Sequence, residues 1–192
     1  MLQNFNINNS GEISNLFLEI GISDFHEACS HILKLPYGRI SDSLNTELVI
    51  AEGKGSCSTK HSLLARLALE NKQEDIELIM GLFLMSPETH PILEDFFKGK
   101  PYNVIPEAHC YLRSKGKRYD FTSTENNMHL IAPKIVREQR IDPHQIGEWK
   151  IAIHKDFLQR WLKRNPTLEF DLDQLWNDRE MCIQIMEEKP IK

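Results

Sequence analysis

The chain has 192 residues, of which 41% are apolar and 27% charged, so it is long enough to bury one sizeable core without signs of disorder or repeats. Its net charge of −5 disfavours general binding to nucleic acid, which usually requires a basic face. No leader sequence and no apolar run of roughly 20 residues is evident, and four scattered cysteines without a CxxC pair are typical of reduced thiols. We therefore expect a cytoplasmic protein that binds neither nucleic acid nor membranes.

Hydrophobic periodicity and turn residues predict an α+β protein. In chain order, the predicted elements are a helix or strand at 13–20, a helix at 25–35, an ambiguous stretch at 41–52, a helix at 58–71, a central strand at 75–85, a short helix at 86–97, strands at 107–113 and 118–122, and helices at 155–164 and 172–187. We expect residues 1–192 to form a single domain. Its core would span about 20–125, and 126–192 would be a C-terminal helical extension packed on that core.

The helix at 58–71 follows a glycine-rich segment, Gly53-Lys54-Gly55-Ser56-Cys57. A cysteine at a helix N-terminus lies near unpaired backbone N–H groups and the positive end of the helix dipole, which favour the thiolate. Two cations close in sequence, Lys54 and Lys60, act in the same direction. Cys57 is therefore the candidate nucleophile.

A second feature is the hairpin that joins the strands at 107–113 and 118–122. A two-residue turn at Lys115-Gly116 pairs Arg113 with Arg118 and puts His109 and Asp120 on one face. A three-residue turn would shift the pairing by one residue and send Asp120 to the other face. Whether His109 and Asp120 lie on the same face of the hairpin therefore depends on the length of this turn.

Cysteine catalysis requires a thiolate, a proton shuttle beside it and a third group that fixes the tautomer of the shuttle. Cys57, His109 and Asp120 supply these residue types in this order along the chain. Pairing with a histidine can lower a cysteine pKa from about 8.5 into the range of roughly 3.5 to 7.5.

Three segments, Gly53–Ala68, Glu107–Leu112 and Lys117–Thr122, resemble the transglutaminase-like superfamily. That family has a G-x-C at a helix start, a histidine before an alternating strand, and a D-x-T at the end of the next strand. The resemblance covers about 47–124. It implies a papain-like α+β core in which the helix bearing the cysteine packs on an antiparallel sheet bearing the histidine and the aspartate.

Transferred to this chain, the resemblance implies that Cys57 is the nucleophile, His109 the general base and acid, and Asp120 the residue that orients His109. The family includes crosslinkers, peptidases, deglycosylating amidases and members that have lost catalysis. Nothing outside the middle of the chain matches the accessory domains or calcium sites of a crosslinker. A peptidase, an amidase or an acyltransferase fits the small size better.

The first hypothesis is therefore a thiol enzyme that acts on a peptide, protein or small amide through a thioester, without metal or cofactor. A catalytically silent transglutaminase-like domain that binds a peptide or protein partner is an alternative. A third hypothesis is an arylamine N-acetyltransferase-like acyl carrier, although its arginine-glycine-glycine lead-in is missing before Cys57. The oligomeric state and the second oxyanion donor stay open.

Other polar residues have more ordinary interpretations. We expect His61 to be a solvated helix residue, with tuning of the thiolate as the alternative. Glu107 is expected to be a polar strand end, or else a substrate contact. A zinc site at His26, Cys29 and His31 is disfavoured, because their spacing on one helix does not converge on a single metal ion.

Overall fold

The computed structural model of the protein describes residues 2–125 and 127–188. Within these ranges the chain forms eight α-helices and four β-strands, which confirms the predicted α+β class. The helices are α1 (Glu12–Glu19), α2 (Phe25–Lys34), α3 (Leu48–Ala51), α4 (Cys57–Glu70), α5 (Glu94–Phe97), α6 (Met128–Ile131), α7 (Glu148–Arg164) and α8 (Leu172–Glu187). The strands are β1 (Glu77–Met85), β2 (Ile105–Ser114), β3 (Lys117–Tyr119) and β4 (Ile135–Arg140). Short 3-10 helices lie at Pro91–Leu93, Ala132–Lys134 and Pro143–Ile146.

The four strands form one antiparallel sheet in the order β3-β2-β1-β4. In the hairpin between β2 and β3, Arg113 pairs with Arg118, as predicted. Lys115 and Gly116 both have positive φ, 49° and 76°, which is the geometry of a tight hairpin turn. The predicted turn and the pairing of Arg113 with Arg118 are therefore confirmed. β3 is only three residues long and ends before Asp120, so the placement of His109 and Asp120 on one face stays a prediction.

β4 corrects the expectation that 126–192 is entirely helical. Four of its six residues are polar or charged, so it lacks the apolar alternation that marks a strand. An edge strand tolerates such residues, and Arg140 forms an ion pair of 3.2 Å with Glu77 of β1. The backbone N–H of Ile141 also donates to the carbonyl of Leu78, at 3.0 Å.

The structure divides into two compact units. The first unit comprises 1–80, 110–126 and 139–147, less the undescribed positions 1 and 126. Its centre is α4, which packs against α1, α2, α3 and the 3-10 helix at Pro143–Ile146. Ten residues of α4 are buried, including Lys60 and His61, so this helix is enclosed on most sides and is not a surface helix with one apolar stripe.

The second unit comprises 81–109, 127–138 and 148–192, with the same limit to described residues. Its core combines apolar residues of β1, β2, α7 and α8 with a group of aromatic side chains. α7 begins at Glu148, seven residues before the predicted start, whereas the predicted helix at 86–97 is a turn followed by two short helical pieces. Tyr102 contacts Trp161 edge-on, with ring centroids 6.3 Å apart.

Candidate active site

Cys57 is the first residue of α4. Ser56 caps the helix: its side chain accepts a hydrogen bond from the backbone N–H of Thr59, and the Thr59 side chain accepts one from the backbone N–H of Ser56. This capping box fixes the helix start at Cys57. The cysteine is partly exposed, whereas Cys29, Cys110 and Cys182, the other cysteines of the chain and all described, are buried. Cys57 thus combines access to reagents with the helix terminus that favours a thiolate.

The glycine before the helix has a packing role. Gly55 donates its N–H to the carbonyl of Pro36 at 3.1 Å, and its own carbonyl accepts the N–H of Gly38 at 3.3 Å. A Cβ atom at Gly55 would lie 2.8 Å from Cγ of Lys60 and 3.2 Å from a methyl group of Val49. A larger residue therefore does not fit beside the start of α4.

Asp120 follows directly after β3 and is 9% exposed. Its Oδ1 atom accepts the backbone N–H of Thr122 at 2.9 Å, a local bond typical of turns. The predicted strand at 118–122 ends at Tyr119. Asp120 is thus held in a turn, with its carboxylate almost fully buried.

His61 connects the start of α4 to this turn. Its ring is fully buried, so the expectation of a solvated histidine is wrong. Nδ1 lies 2.7 Å from the carbonyl oxygen of Cys57, and Nε2 accepts the backbone N–H of Phe121 at 2.7 Å. These two bonds require the neutral ring protonated on Nδ1. Nε2 also lies 3.6 Å from Oδ1 of Asp120.

Lys60 is the second buried polar residue of α4. Its Nζ donates to the carbonyl of Leu35 at 2.5 Å and to the carbonyl of Thr122 at 2.7 Å. Burial lowers the pKa of this ammonium to about 8, against the opposing effects of Asp120 and Cys57, which favour the charged form. From the sequence, Lys54 and Lys60 are equivalent cations near Cys57. In the structure, the side chain of Lys54 is 43% exposed, and its Nζ lies 3.8 Å from the carboxylate of Glu52.

The side chain of Cys57 is also connected to β2 through Ser58. The Ser58 hydroxyl lies 3.9 Å from Sγ of Cys57 and 3.6 Å from Sγ of Cys110, and Cys110 is fully buried. Cys57 and Asp120 both belong to the first unit. In this unit, Ser58 of α4 contacts Cys110 of β2, and Lys60 of α4 contacts Thr122 after the hairpin.

β2 is divided between the two units. His109 is the last residue of 81–109 in the second unit, and Cys110 is the first residue of the following part of the first unit. The histidine lies on β2, is 9% exposed and packs edge-on against Phe83, with ring centroids 6.4 Å apart. Its assignment as the base and acid for Cys57 stays a prediction.

Glu107, two residues before His109, is not an ordinary strand end. It is 6% exposed, and Arg179 reaches both of its carboxylate oxygens, at 2.7 and 2.8 Å. Burial alone would raise the pKa of this carboxyl, but Arg179, His154 and Lys150 outweigh burial and hold the pKa well below its ordinary value. Glu107 is thus the centre of a buried ionic network in the second unit.

His154 shows the effect of burial most clearly. Its Nε2 lies 2.9 Å from the carbonyl oxygen of Pro106, and its Nδ1 lies 3.9 Å from Glu107. Burial lowers the pKa of His154 to about 4 although Glu107 favours its charged form. This network could not be recognised from sequence, because Glu107 and Arg179 are 72 residues apart.

No cluster of three or more His, Cys, Asp or Glu residues suited to a metal ion occurs in the part of the chain that the structure describes. His26 of the considered zinc set instead contacts the carbonyl of Leu2 through Nε2 at 2.7 Å. Burial raises the pKa of the Cys29 thiol far above its ordinary value. These two residues are occupied with packing and backbone contacts.

Comparisons with known proteins do not identify a family: no family model, curated protein or solved structure matches this chain. Among the helices of 2–125 and 127–188, none is long and apolar enough to cross a membrane.

Proposed function

We propose that the protein is a cysteine enzyme with transglutaminase-like chemistry, which acts on an amide or related acyl group of a peptide, protein or small molecule. The Cys57 thiolate attacks the acyl carbon and forms a carbon–sulfur bond. His109 donates a proton to the leaving amine, and the acyl group remains on Cys57 as a thioester. Water or an acceptor amine then attacks the thioester while His109 removes its proton, and Cys57 leaves as the thiolate. Asp120 orients His109 and stabilises its charged form.

The observation that carries this proposal is the position of Cys57 at a capped helix start, three residues before the buried cation Lys60 on the same helix. A partly exposed thiol at the first position of a 14-residue helix receives the favourable field of the helix N-terminus. Lys60 adds a positive charge that acts on Cys57. Such surroundings are typical of reactive cysteines and differ from those of the three buried thiols.

The hairpin supports the role of Asp120. The Lys115-Gly116 turn pairs Arg113 with Arg118, which is the register from which the proposal starts, and Asp120 follows directly after the last paired residue, Tyr119. The carboxylate is 9% exposed, and a buried carboxylate is retained only where it has partners that compensate the loss of water. The interaction with Thr122 holds it at the end of β3.

Alkylation of Cys57 by iodoacetamide as a function of pH tests the thiolate and its dependence on His109. We expect an apparent pKa below about 7.5 in the wild type and a rise towards 8.5 in His109→Ala. His90→Ala is the matched control, because His90 also contacts Phe83, with ring centroids 5.9 Å apart. The control should leave the profile unchanged. Titration near 8.5 in both the wild type and His109→Ala would contradict the proposal.

A further inference from the structure

The acyl-transfer steps give no direct chemical task to Lys60, although its side chain is fully buried and contacts the turn that holds Asp120. We propose that Lys60 is a positioning residue, whose ammonium holds the Asp120–Thr122 turn against α4 and supplies positive charge that favours the Cys57 thiolate. This inference rests on the proposed function in taking Cys57 as the nucleophile.

Lys60 and Asp120 both bind the backbone of Thr122. Lys60 Nζ donates to the carbonyl of this residue at 2.7 Å, while Asp120 Oδ1 accepts its N–H at 2.9 Å. Both polar backbone groups of Thr122 are thus held by ionisable side chains. A second bond, from Nζ to the carbonyl of Leu35 at 2.5 Å, anchors the ammonium on its other side. Lys60 therefore links α4 to two other segments, the end of α2 at Leu35 and the turn at Thr122.

Lys60 is also coupled to the charges at Cys57 and Asp120. It follows Cys57 by three residues on α4, a spacing at which helix side chains are neighbours. Asp120 and Cys57 both favour the charged form of Lys60, and burial opposes them. His61, the next residue of α4, lies 3.6 Å from Asp120 and has both ring nitrogens hydrogen-bonded, so the neutral ring adds no second cation. Electrostatic coupling is reciprocal: if the thiolate stabilises the ammonium, then the ammonium stabilises the thiolate equally.

Burial of the Lys60 ammonium costs hydration free energy. Lysine is almost never fully buried unless it is paired, and an apolar residue of similar length would avoid the loss of hydration. Gly55 even lacks a side chain at the point where a Cβ would touch the Lys60 stem. A buried cation that destabilises the fold but stabilises an anion at the nucleophile is typical of functional sites.

The experiment compares Cys57 alkylation across pH in the wild type, Lys60→Met and Lys54→Met. Methionine keeps the length of the Lys60 stem and removes the charge. We expect Lys60→Met to raise the apparent pKa of Cys57 by at least one unit, which lowers the alkylation rate about tenfold or more when it is measured at least one pH unit below the wild-type pKa. Lys54→Met is the control, since Lys54 is partly exposed and lies near Glu52. It should change the rate less than about twofold, because exposed charges are screened by solvent and salt.

A reciprocal measurement applies even where Lys60→Met does not fold. The titration of Lys60 is followed by NMR of protein carrying ¹³C-labelled lysine, in the wild type and in Cys57→Ser. Removing the thiolate should lower the pKa of Lys60 by at least one unit, the same size of effect that is expected at Cys57, because the coupling is reciprocal. A purely structural lysine would titrate identically in both proteins.

The outcomes separate the two proposals. A Cys57 pKa that depends on His109 but not on Lys60, together with an unchanged Lys60 titration in Cys57→Ser, would overturn the positioning role and leave the proposed enzyme intact. A low Cys57 pKa that depends on Lys60 but not on His109 would support the positioning role and contradict the proposed function.

Discussion

Replacing Arg179 with methionine is expected to lower the free energy of unfolding by about 4 kcal/mol at pH 7, because it leaves the Glu107 carboxylate buried without its main partner. The guanidinium makes two short bonds to this carboxylate, at 2.7 and 2.8 Å, and neither residue is more than 9% exposed. Hydrogen bonds to charged groups contribute about 1.5–3 kcal/mol each. Removing one member of a buried pair costs about 3–5 kcal/mol, so the two figures agree.

This loss depends on pH in a defined direction. Burial raises the pKa of Glu107, but Arg179, His154 and Lys150 hold it below the ordinary value of 4.5. A carboxyl whose pKa is lower in the folded state stabilises the fold above its unfolded pKa, and this stabilisation disappears as the pH falls below about 4.5. The effect of Arg179→Met should therefore be large at pH 7 and smaller near pH 4, where protonation of Glu107 removes the unpaired charge.

Urea denaturation followed by tryptophan fluorescence at both pH values measures the effect. The double variant Glu107→Met/Arg179→Met should recover more than half of the lost stability at pH 7, since neither charge then remains. Arg160→Met is the control, because Arg160 forms a well-exposed ion pair with Asp156 on α7 and should contribute little. A loss below about 1 kcal/mol, or a double variant as unstable as the single one, would refute the reasoning.

Three further predictions concern the first unit and are measured by denaturation. Lys115→Asn should stabilise the protein by about 0.5 kcal/mol, because Asn-Gly is preferred where both turn residues have positive φ; an unchanged midpoint would count against this turn. Gly55→Ala should cost about 2–3 kcal/mol through its contact with Lys60, whereas Gly53→Ala, with open space around it and φ of 65°, should cost only about 1 kcal/mol; equal losses would contradict the close packing at Gly55. The stability of the wild type relative to Lys60→Met should rise by roughly 3 kcal/mol between pH 8 and 10.5, because the unfolded chain binds a proton at Lys60 that the folded chain does not; a difference between the two proteins that stays constant over this range would contradict the burial of the charge.

The sequence sufficed to predict the elements that local physics determines. Gly116 accepts positive φ, and the short turn then fixes the register between β2 and β3. The apolar run of β1 and the uninterrupted α4 are strong signals of the same kind. The glycine-rich segment before the helix at 58–71 predicts Cys57 at the helix start, and the structure adds that Ser56 caps it.

The features that the sequence does not predict depend on contacts between distant residues. β4 is a polar edge strand whose partner is β1, so its own residues carry no strand pattern. His61 resembles a surface residue until the packing around α4 is known. The ionic network of Glu107 depends on Arg179, which is distant along the chain. Charged groups are compatible with burial only after the tertiary structure supplies their partners.

The central claim is that Cys57 forms a thioester. The most direct test is reaction with p-nitrophenyl acetate, with release of p-nitrophenolate followed in the first turnover and the acylated residue identified by peptide mass spectrometry. We expect a burst equal to one acyl group per chain on Cys57, no burst in Cys57→Ala, and slower loss of the acyl group in His109→Ala. The same burst in Cys57→Ala, or acylation confined to other residues, would contradict this account.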